Sequence, residues 1–363
     1  MSKYKVCVYA ICKNESKNAI RWYNSMKEAD EVIVLDTGST DDTVEILKSL
    51  GAKVYIKEYP NFRFDDARND SLDLVPLDCD ICVCTDIDEC FNSGWREKVE
   101  KVWDSNVHRL SYKIIWNVLD NGKEGLVYYI SKIHKRENFK WIHAIHEILE
   151  YTGSEYCNTV TLDSVYLTHY QDKNKSRASY LKLLELDAME RPNDARSMHY
   201  LGREYMYYNM LDKAILVLKK HLTMENSNWP AERAASMRYI AMCYERQGKI
   251  DEARKYLFYS IGEAPKFREA YIQLAKLEYI QKNFNGVVYL INIALKITQK
   301  STEYLNEAEA WGILSYDLLS IAFYYLGNYE QALINIDICL KEEPLNSRFL
   351  NNKKLILEKI KPK

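Results

Sequence analysis

The segment CVCTDIDECF, residues 82–91, places two carboxylates, Asp86 and Asp88, directly after a short apolar run. The apolar run is typical of a buried strand, and acidic side chains crowded at its end repel each other and lose hydration. A divalent cation removes that repulsion, because Mg²⁺ and Mn²⁺ prefer carboxylate oxygens and take phosphate oxygens as further ligands. The pair therefore indicates a metal and phosphate site, although a solvated acidic turn before a helix fits the same residues.

Three other segments that follow apolar runs carry polar side chains of complementary types. They are ICKNES (11–16) with Asn14 and Glu15, DTGSTDDT (36–43) with Asp36 and Gly38, and FRFDDARND (62–70) with Arg63 and Arg68. A guanidinium can bind a diphosphate through two N–H groups. Taken singly, these segments also fit a capped helix start or an exposed helical arginine. Together with the acidic pair they predict a nucleotide-diphosphate pocket.

An alternation of strands and helices positions these segments. Apolar runs at 5–12, 31–36, 52–58 and 80–86 predict strands, and 16–28 and 39–51 have helical spacing. Ser39 or Thr40 is the expected N-cap of the second helix, and Gly51 is expected to end it. Strand–helix–strand repetition predicts a parallel, doubly wound sheet that binds its ligand at the carboxyl ends of the strands.

The pattern changes after residue 105. Longer alternating runs at 108–119 and 125–135 flank a hairpin turn with Asn121-Gly122 at its tip, and a further strand spans 159–170. We therefore expect a sheet domain over residues 1–172, of nucleotide-diphospho-sugar, Rossmann-like type, and a second domain over residues 173–363.

The second domain contains an internal helical repeat. The equivalent positions Ala214, Ala253, Val287 and Ala332 lie 39, 34 and 45 residues apart. Thirty-four residues is the tetratricopeptide period, so the longer intervals imply insertions of 5 and 11 residues. Such helix pairs stack into a solenoid, because one pair alone cannot bury its apolar faces. The predicted fold class is α/β followed by all-α.

Composition limits the classes of function. The 50 basic and 52 acidic residues nearly balance among 363, which disfavours a nucleic-acid binder. No run approaches the length of a membrane span, and the N-terminal apolar run alternates as a strand does and has no cleavage site after it. The nine cysteines are scattered, as in cytoplasmic proteins. These features predict a soluble, cytoplasmic protein.

The segments CKNE, ADEVIVLDTGSTDDT, ARND, DIDE and NFKWIHAIHE resemble the motif series of family 2 inverting glycosyltransferases with the GT-A fold. The whole chain resembles bacterial enzymes that fuse this domain to tetratricopeptide repeats, among them the bacteriocin S-glycosyltransferases of the sublancin type. The resemblance implies transfer of a hexose from a UDP-sugar, with UDP-glucose or UDP-GlcNAc expected. The implied acceptor is a Cys, Ser or Thr side chain of a peptide or protein.

The resemblance also implies roles for individual residues. The donor is expected to contact Asn14, Glu15, Asp36, Gly38, Arg68 and Asp86; a Mn²⁺ or Mg²⁺ ion is expected on Asp88, Asp86 and His169; Trp141 and His143 are expected on the acceptor side. Many family members carry a Glu-Asp pair where this chain has His146-Glu147. Glu147 is the expected base, with His146 orienting it or binding metal. Structural histidines on an amphipathic segment remain the alternative, and for His169 a hydrogen bond at the domain junction.

Other functions stay open at this point. The repeats could recruit a peptide acceptor through aromatic side chains, or form a homodimer. A glycosyltransferase that builds a cell-surface glycan, and a repeat scaffold with a vestigial sugar-nucleotide domain, are the alternatives. Nucleotidyl transfer is disfavoured because CKNES is not a Gly-rich, basic loop.

Overall fold

A computed structural model describes residues 3–119, 122–171 and 179–360, which divide into two compact units. The first is Met1–Glu190 and the second is Arg191–Lys363. The predicted boundary between residues 172 and 173 lies outside the described residues, as does Asn121 of the predicted turn. The helix over 180–190, expected in the second domain, belongs to the first unit.

The first unit contains ten strands and five helices among its described residues. The strands are β1 Val6–Cys12, β2 Glu31–Asp36, β3 Lys53–Ile56, β4 Ile81–Cys84, β5 Glu89–Phe91, β6 Arg109–Ile115, β7 Val127–His134, β8 Phe139–Ile142, β9 Ile148–Tyr151 and β10 Thr159–His169. The helices are α1 Ser16–Met26, α2 Thr43–Leu50, α3 Phe64–Asp73, α4 Trp95–Val102 and α5 Tyr180–Glu190. All predicted strands and helices of this unit are present.

Eight of these strands form one mixed sheet in the order β3-β2-β1-β4-β7-β6-β10-β5. The first four are parallel, as predicted, and β7 and β5 are antiparallel to their neighbours. β8 and β9 pair separately as a hairpin. The order of the first four strands reverses between β1 and β4, which is where open α/β sheets form a ligand crevice. The loops after β1, β2 and β4 therefore open at one edge.

The local helix signals are only partly correct. α2 ends at Gly51, whose φ of +107° is the left-handed conformation that glycine adopts readily. Its N-cap residue is Asp42, not Ser39 or Thr40 as expected. Ser39 does not cap the helix because its hydroxyl is used elsewhere: it donates to the Asp36 carboxylate and accepts from the Asn14 backbone N–H. A tertiary contact thus overrides the capping rule.

A chain of buried hydrogen bonds crosses the core between β1, β7 and β8. The Trp141 indole N–H donates to the Tyr9 hydroxyl (2.9 Å), which lies 2.8 Å from His134 Nε2. His134 Nδ1 lies 2.6 Å from the Lys135 carbonyl. Every partner is satisfied when His134 is neutral, with Nδ1–H donating and Nε2 accepting. Burial accordingly lowers the pKa of His134 to about 3.

This network predicts acid lability. His134 titrates near 6.5 when unfolded and near 3 when folded, so its stabilising contribution is complete above pH 6.5 and lost as the pH falls towards 3. Between pH 7 and 4.5 the loss is about 2.5 kcal/mol in the free energy of unfolding. Denaturant unfolding of both proteins is measured at pH 7 and at pH 4.5. The His134→Gln variant should be less stable than the unaltered protein at pH 7, but its free energy of unfolding should fall less on acidification. An equal acid loss in both proteins would contradict the assignment.

The second unit is built from paired helices. They are α6 Ala195–Tyr207, α7 Leu211–Thr223, α8 Pro230–Arg246, α9 Ile250–Glu263, α10 Arg268–Ile280, α11 Phe284–Lys296, α12 Ala308–Trp311, α13 Leu314–Tyr325, α14 Tyr329–Glu342 and α15 Ser347–Ile360. α6/α7, α8/α9, α10/α11 and α13/α14 pack as successive pairs. The repeat positions Ala214, Ala253, Val287 and Ala332 are fully buried on the second helix of each pair.

Close packing within the pairs explains the small residues. A Cβ on Gly202 of α6 would lie 2.5 Å from Leu218 Cγ of α7, too close for any other residue without movement.

The predicted α/β unit followed by an all-α repeat unit is confirmed. Within the described residues, no helix is both long and apolar enough to cross a membrane.

Candidate functional site

The loops after β1 and β2 are bonded to each other at the sheet edge. Asn14 has a φ of +57°, and its side-chain oxygen accepts from the Thr40 backbone N–H at 2.7 Å. The Asn14 N–H donates to Ser39 Oγ at 2.8 Å. Glu15, which is buried, donates its own N–H to Thr43 Oγ1 at 2.7 Å. The two loops therefore form one polar surface beside the crevice.

Asp36 closes the second of these loops. Its carboxylate accepts from the backbone N–H groups of Gly38 (3.0 Å) and Ser39 (2.9 Å), which curls the chain around it. Gly38 has a φ of +104°, a conformation that costs little only for glycine. The residues predicted to bind a donor after β1 and β2 are thus brought together, and contact with a donor remains a prediction.

Arg68 on α3 joins the loop after β4 to the loop between β8 and β9. It is 2% exposed; its Nε donates to Glu147 Oε1 at 2.9 Å, and its Nη2 bonds to Asp86. Burial alone would lower the pKa of Arg68, but Asp86 and Glu147 raise it well above its usual value. The alternative of an exposed helical arginine is wrong. The expectation of a guanidinium open to a diphosphate also needs correction, because these N–H groups bond to protein carboxylates.

Lys132 on β7 is a second, half-buried cation at this point, and sequence reasoning missed it. Its Nζ lies 3.3 Å from Asp86 Oδ2 and 3.6 Å from Glu89 Oε1. Burial alone would raise the pKa of Asp86, yet Arg68 and Lys132 hold it well below its usual value. Asp86 therefore stays ionised between two cations. Its two oxygens face these cations, which disfavours the predicted role of Asp86 as a metal ligand.

Asp88 and His169 form a separate pair beside this cluster. Asp88 Oδ2 lies 3.6 Å from His169 Nε2. His169 Nδ1 lies 3.0 Å from the Trp116 carbonyl, and the imidazole stacks on the Trp116 indole with ring centroids 4.2 Å apart. Burial lowers the pKa of His169, but Asp88 outweighs this effect and raises it. A histidine whose Nδ1–H is held by a carbonyl presents Nε2 as a metal ligand. The carboxylate oxygen suits Mn²⁺ or Mg²⁺, and the softer imidazole nitrogen suits Mn²⁺ better than Mg²⁺.

The five-residue loop between β8 and β9 contains two non-glycine residues at positive φ. His143 has a φ of +76° and His146 of +53°. Such conformations cost energy and persist where surrounding contacts impose them. Here Asp187 of α5 does so: its Oδ2 lies 2.9 Å from His143 Nδ1, and its Oδ1 accepts from the Ala144 N–H at 3.1 Å. Asp187 thereby positions the loop that ends at Glu147.

This geometry contradicts the predicted acceptor-side role of two residues. Trp141 is 1% exposed, with its indole in the buried chain to Tyr9, so it offers no face to a sugar. His143 is 3% exposed and bonded to Asp187. His146 is half-buried, and its ring packs edge-on against Tyr180 with centroids 6.2 Å apart. Of the histidines in this loop, His146 is the one placed beside Glu147 with some exposure.

Loss of the Asp187 contacts should impair the loop more than the fold. We expect Asp187→Asn to lower transfer roughly tenfold, because partners that orient a reacting group typically matter by this amount. Affinity for the donor should change less than twofold, since Asp187 bonds to His143 and Ala144 in the loop that carries the proposed base. Glu190→Gln on the same helix, which removes a partly exposed ion pair with Arg63, is the control. Unchanged transfer in Asp187→Asn would show that the loop needs no such support.

A comparison with protein families finds a match in the first part of the chain. The family model described as glycosyl transferase family 2 matches residues 7–124. That range contains the loops after β1, β2 and β4 and ends before Lys132, Glu147 and His169. The match supports a family 2 glycosyltransferase domain in this part of the chain.

Relatives in Rickettsia agree with that assignment. An uncharacterized glycosyltransferase of Rickettsia conorii is 37% identical over 103 residues, which cover 28% of this chain and 35% of the relative. A second, from Rickettsia prowazekii, is 34% identical over 123 residues, covering 33% and 41%. The chain thus spans less than half the length of these relatives. They give no support to the narrower resemblance to sublancin-type enzymes.

Solved structures similar to this chain include helical repeat proteins. A MamA protein has a TM-score of 0.36 at 15% identity and covers 46% of this chain and 83% of its own. PilW, a type IV pilus biogenesis factor, has a TM-score of 0.40 at 15% identity and covers 48% and 73%. The fold of the second unit rests on its own helix pairs.

Proposed function

We propose that this protein is a metal-dependent, inverting glycosyltransferase that moves a hexose from a UDP-sugar to a Cys, Ser or Thr side chain of a peptide. UDP-glucose and UDP-GlcNAc are the expected donors. The observation that carries the proposal is the Asp86–Asp88 pair at the carboxyl end of β4, inside the family match and beside the buried Arg68 and the half-buried Lys132.

Each member of the pair has a different task in this proposal. Asp86, held by Arg68 and Lys132, accepts hydrogen bonds from the donor's ribose on its exposed side. Asp88 and His169, whose side chains face each other, would hold the Mn²⁺ or Mg²⁺ ion. When bound, the ion supplies positive charge that stabilises the departing diphosphate. The loops carrying Asn14, Glu15, Asp36 and Gly38 would surround the nucleoside.

Glu147 is the proposed base. Arg68 donates to Glu147 Oε1 and also binds Asp86, so the Glu147 carboxylate is held close to the acidic pair. The acceptor's sulfur or oxygen attacks the anomeric carbon on the face opposite UDP, and its proton passes to Glu147. The bond between that carbon and the diphosphate oxygen breaks, and UDP leaves with the electron pair. His146 beside it would orient the carboxylate.

The experiment is an assay of the full chain with a panel of UDP-sugars and peptides containing Cys, Ser or Thr, with Mn²⁺ or EDTA. We expect UDP release and a hexose mass increase on peptide, both abolished by EDTA. Transfer to saccharides alone would favour the cell-surface glycan alternative. No UDP release with any donor would favour a non-catalytic scaffold.

A further inference from the structure

Residues 297–307, between α11 and α12, form a segment that we call the strap. They coincide with the 11-residue insertion seen in the repeat spacing. The residues of the strap contact α6, α8 and α10, which are the first helices of three successive pairs. The face shared by these first helices is therefore covered by the chain itself.

Tyr304 is one of two anchors of the strap. Its ring stacks nearly parallel to that of Tyr200 on α6, with centroids 6.3 Å apart, and its hydroxyl donates to Glu232 Oε2 on α8 at 3.1 Å. Glu232 Oε1 lies 3.3 Å from His221 Nε2. His221 Nδ1 is in turn 3.0 Å from Ser236 Oγ, so the acceptor of the Tyr304 hydroxyl is fixed by a buried chain of polar groups.

Glu307 is the second anchor. Its carboxylate pairs with Arg238 of α8, which is 3% exposed, and its backbone N–H donates to Glu269 Oε1 of α10 at 3.1 Å. Arg238 also donates to the Leu305 carbonyl at 3.5 Å. The face of α6, α8 and α10 thus binds three parts of the strap: an aromatic ring, a carboxylate three residues later, and main-chain groups from the residues that join them.

These contacts define which partner could replace the strap. If the strap moved away alone, Arg238 would lose its carboxylate while remaining largely buried, which is strongly unfavourable. A peptide with its own carboxylate and aromatic ring would replace the contacts of the strap with equivalent ones. Arg238 would then keep a carboxylate partner. Stacked repeat helices present extended surfaces of this kind to peptides.

We propose that the strap is an internal pseudo-ligand, and that a peptide with an aromatic residue three positions before an acidic residue displaces it from the face of α6, α8 and α10. That this peptide is the glycosyl acceptor rests on the proposed function. The displacement itself does not depend on that function.

The test uses a labelled peptide with the sequence of residues 299–309, QKSTEYLNEAE, and the full-length protein. The double variant Tyr304→Ala/Glu307→Gln loosens the strap but leaves its receiving face intact. We expect it to bind the peptide at least tenfold more tightly than the unaltered protein does. Adding Arg238→Gln should abolish that gain, and a peptide altered to Ala and Gln at the same two positions should not bind. Equal affinity in the unaltered and double-variant proteins would overturn the proposal.

A second measurement covers the case in which the double variant unfolds. In the unaltered protein, saturating peptide should increase amide hydrogen exchange over residues 297–307, whereas the altered peptide should not. Unchanged exchange at saturation would overturn the proposal. Neither measurement involves UDP-sugar, so binding without transfer to a Cys, Ser or Thr peptide would refute only the proposed function.

Discussion

Asp88→Asn is expected to lower sugar transfer on the order of 10³-fold, because it removes the charge of the carboxylate that faces His169 Nε2. Asparagine has nearly the same shape, so no cavity forms and the melting temperature should change by only a few degrees. Mn²⁺ binding, measured directly by calorimetry, should weaken in parallel with activity. Transfer is measured as UDP release with each donor over a range of Mn²⁺ concentrations.

Asp42→Asn is the matched control for this variant. Asp42 is exposed in the loop after β2, and although it is the N-cap residue of α2, its side chain makes no capping hydrogen bond. The control should keep its transfer rate and Mn²⁺ affinity. Near-native turnover by Asp88→Asn with any UDP-sugar would remove Asp88 from the metal site, and unchanged Mn²⁺ affinity would place the ion elsewhere.

The strand ends were predictable because the signal is local. An apolar run followed by Asp86 and Asp88, or by Asp36, marks both a strand and the edge at which its loop opens. The alternation rule then places these loops side by side without knowledge of any side-chain contact. The fold of this edge could therefore be derived from residue order alone.

The partners of these residues could not be derived in the same way. Lys132 lies in an ordinary alternating strand, and it reaches Asp86 because β7 pairs antiparallel with β4, a long-range event. Asp187 lies on a helix expected in the second domain, yet it holds the loop that ends at Glu147. Trp141 is a residue type that often stacks on sugars, but its indole is buried and donates to the Tyr9 hydroxyl in the core.

Glu147→Gln is the second large effect. Glutamine keeps an oxygen that can accept from Arg68 Nε, so the loop should hold its position while the proton acceptor is lost. Transfer should fall roughly 10²- to 10³-fold, the usual contribution of a general base. The dissociation constant for UDP-sugar should stay within about twofold, because the base acts on the acceptor. Transfer rates and donor binding are measured on the same preparation, with the exposed Glu150→Gln on β9 as control.

The type of acceptor sharpens this prediction. A thiol ionises near pH 8.5 without help, whereas a hydroxyl does not ionise in this range. With a Cys peptide, Glu147→Gln should therefore regain much of its lost activity as the pH rises from 7 to 9, and with a Ser or Thr peptide it should not. Equal losses in donor binding and transfer would instead mean that Glu147 acts through Arg68 and Asp86, as part of the structure that holds the donor side. In that case His146, the half-buried neighbour, becomes the residue to test as the base, by the same comparison of Cys with Ser peptides.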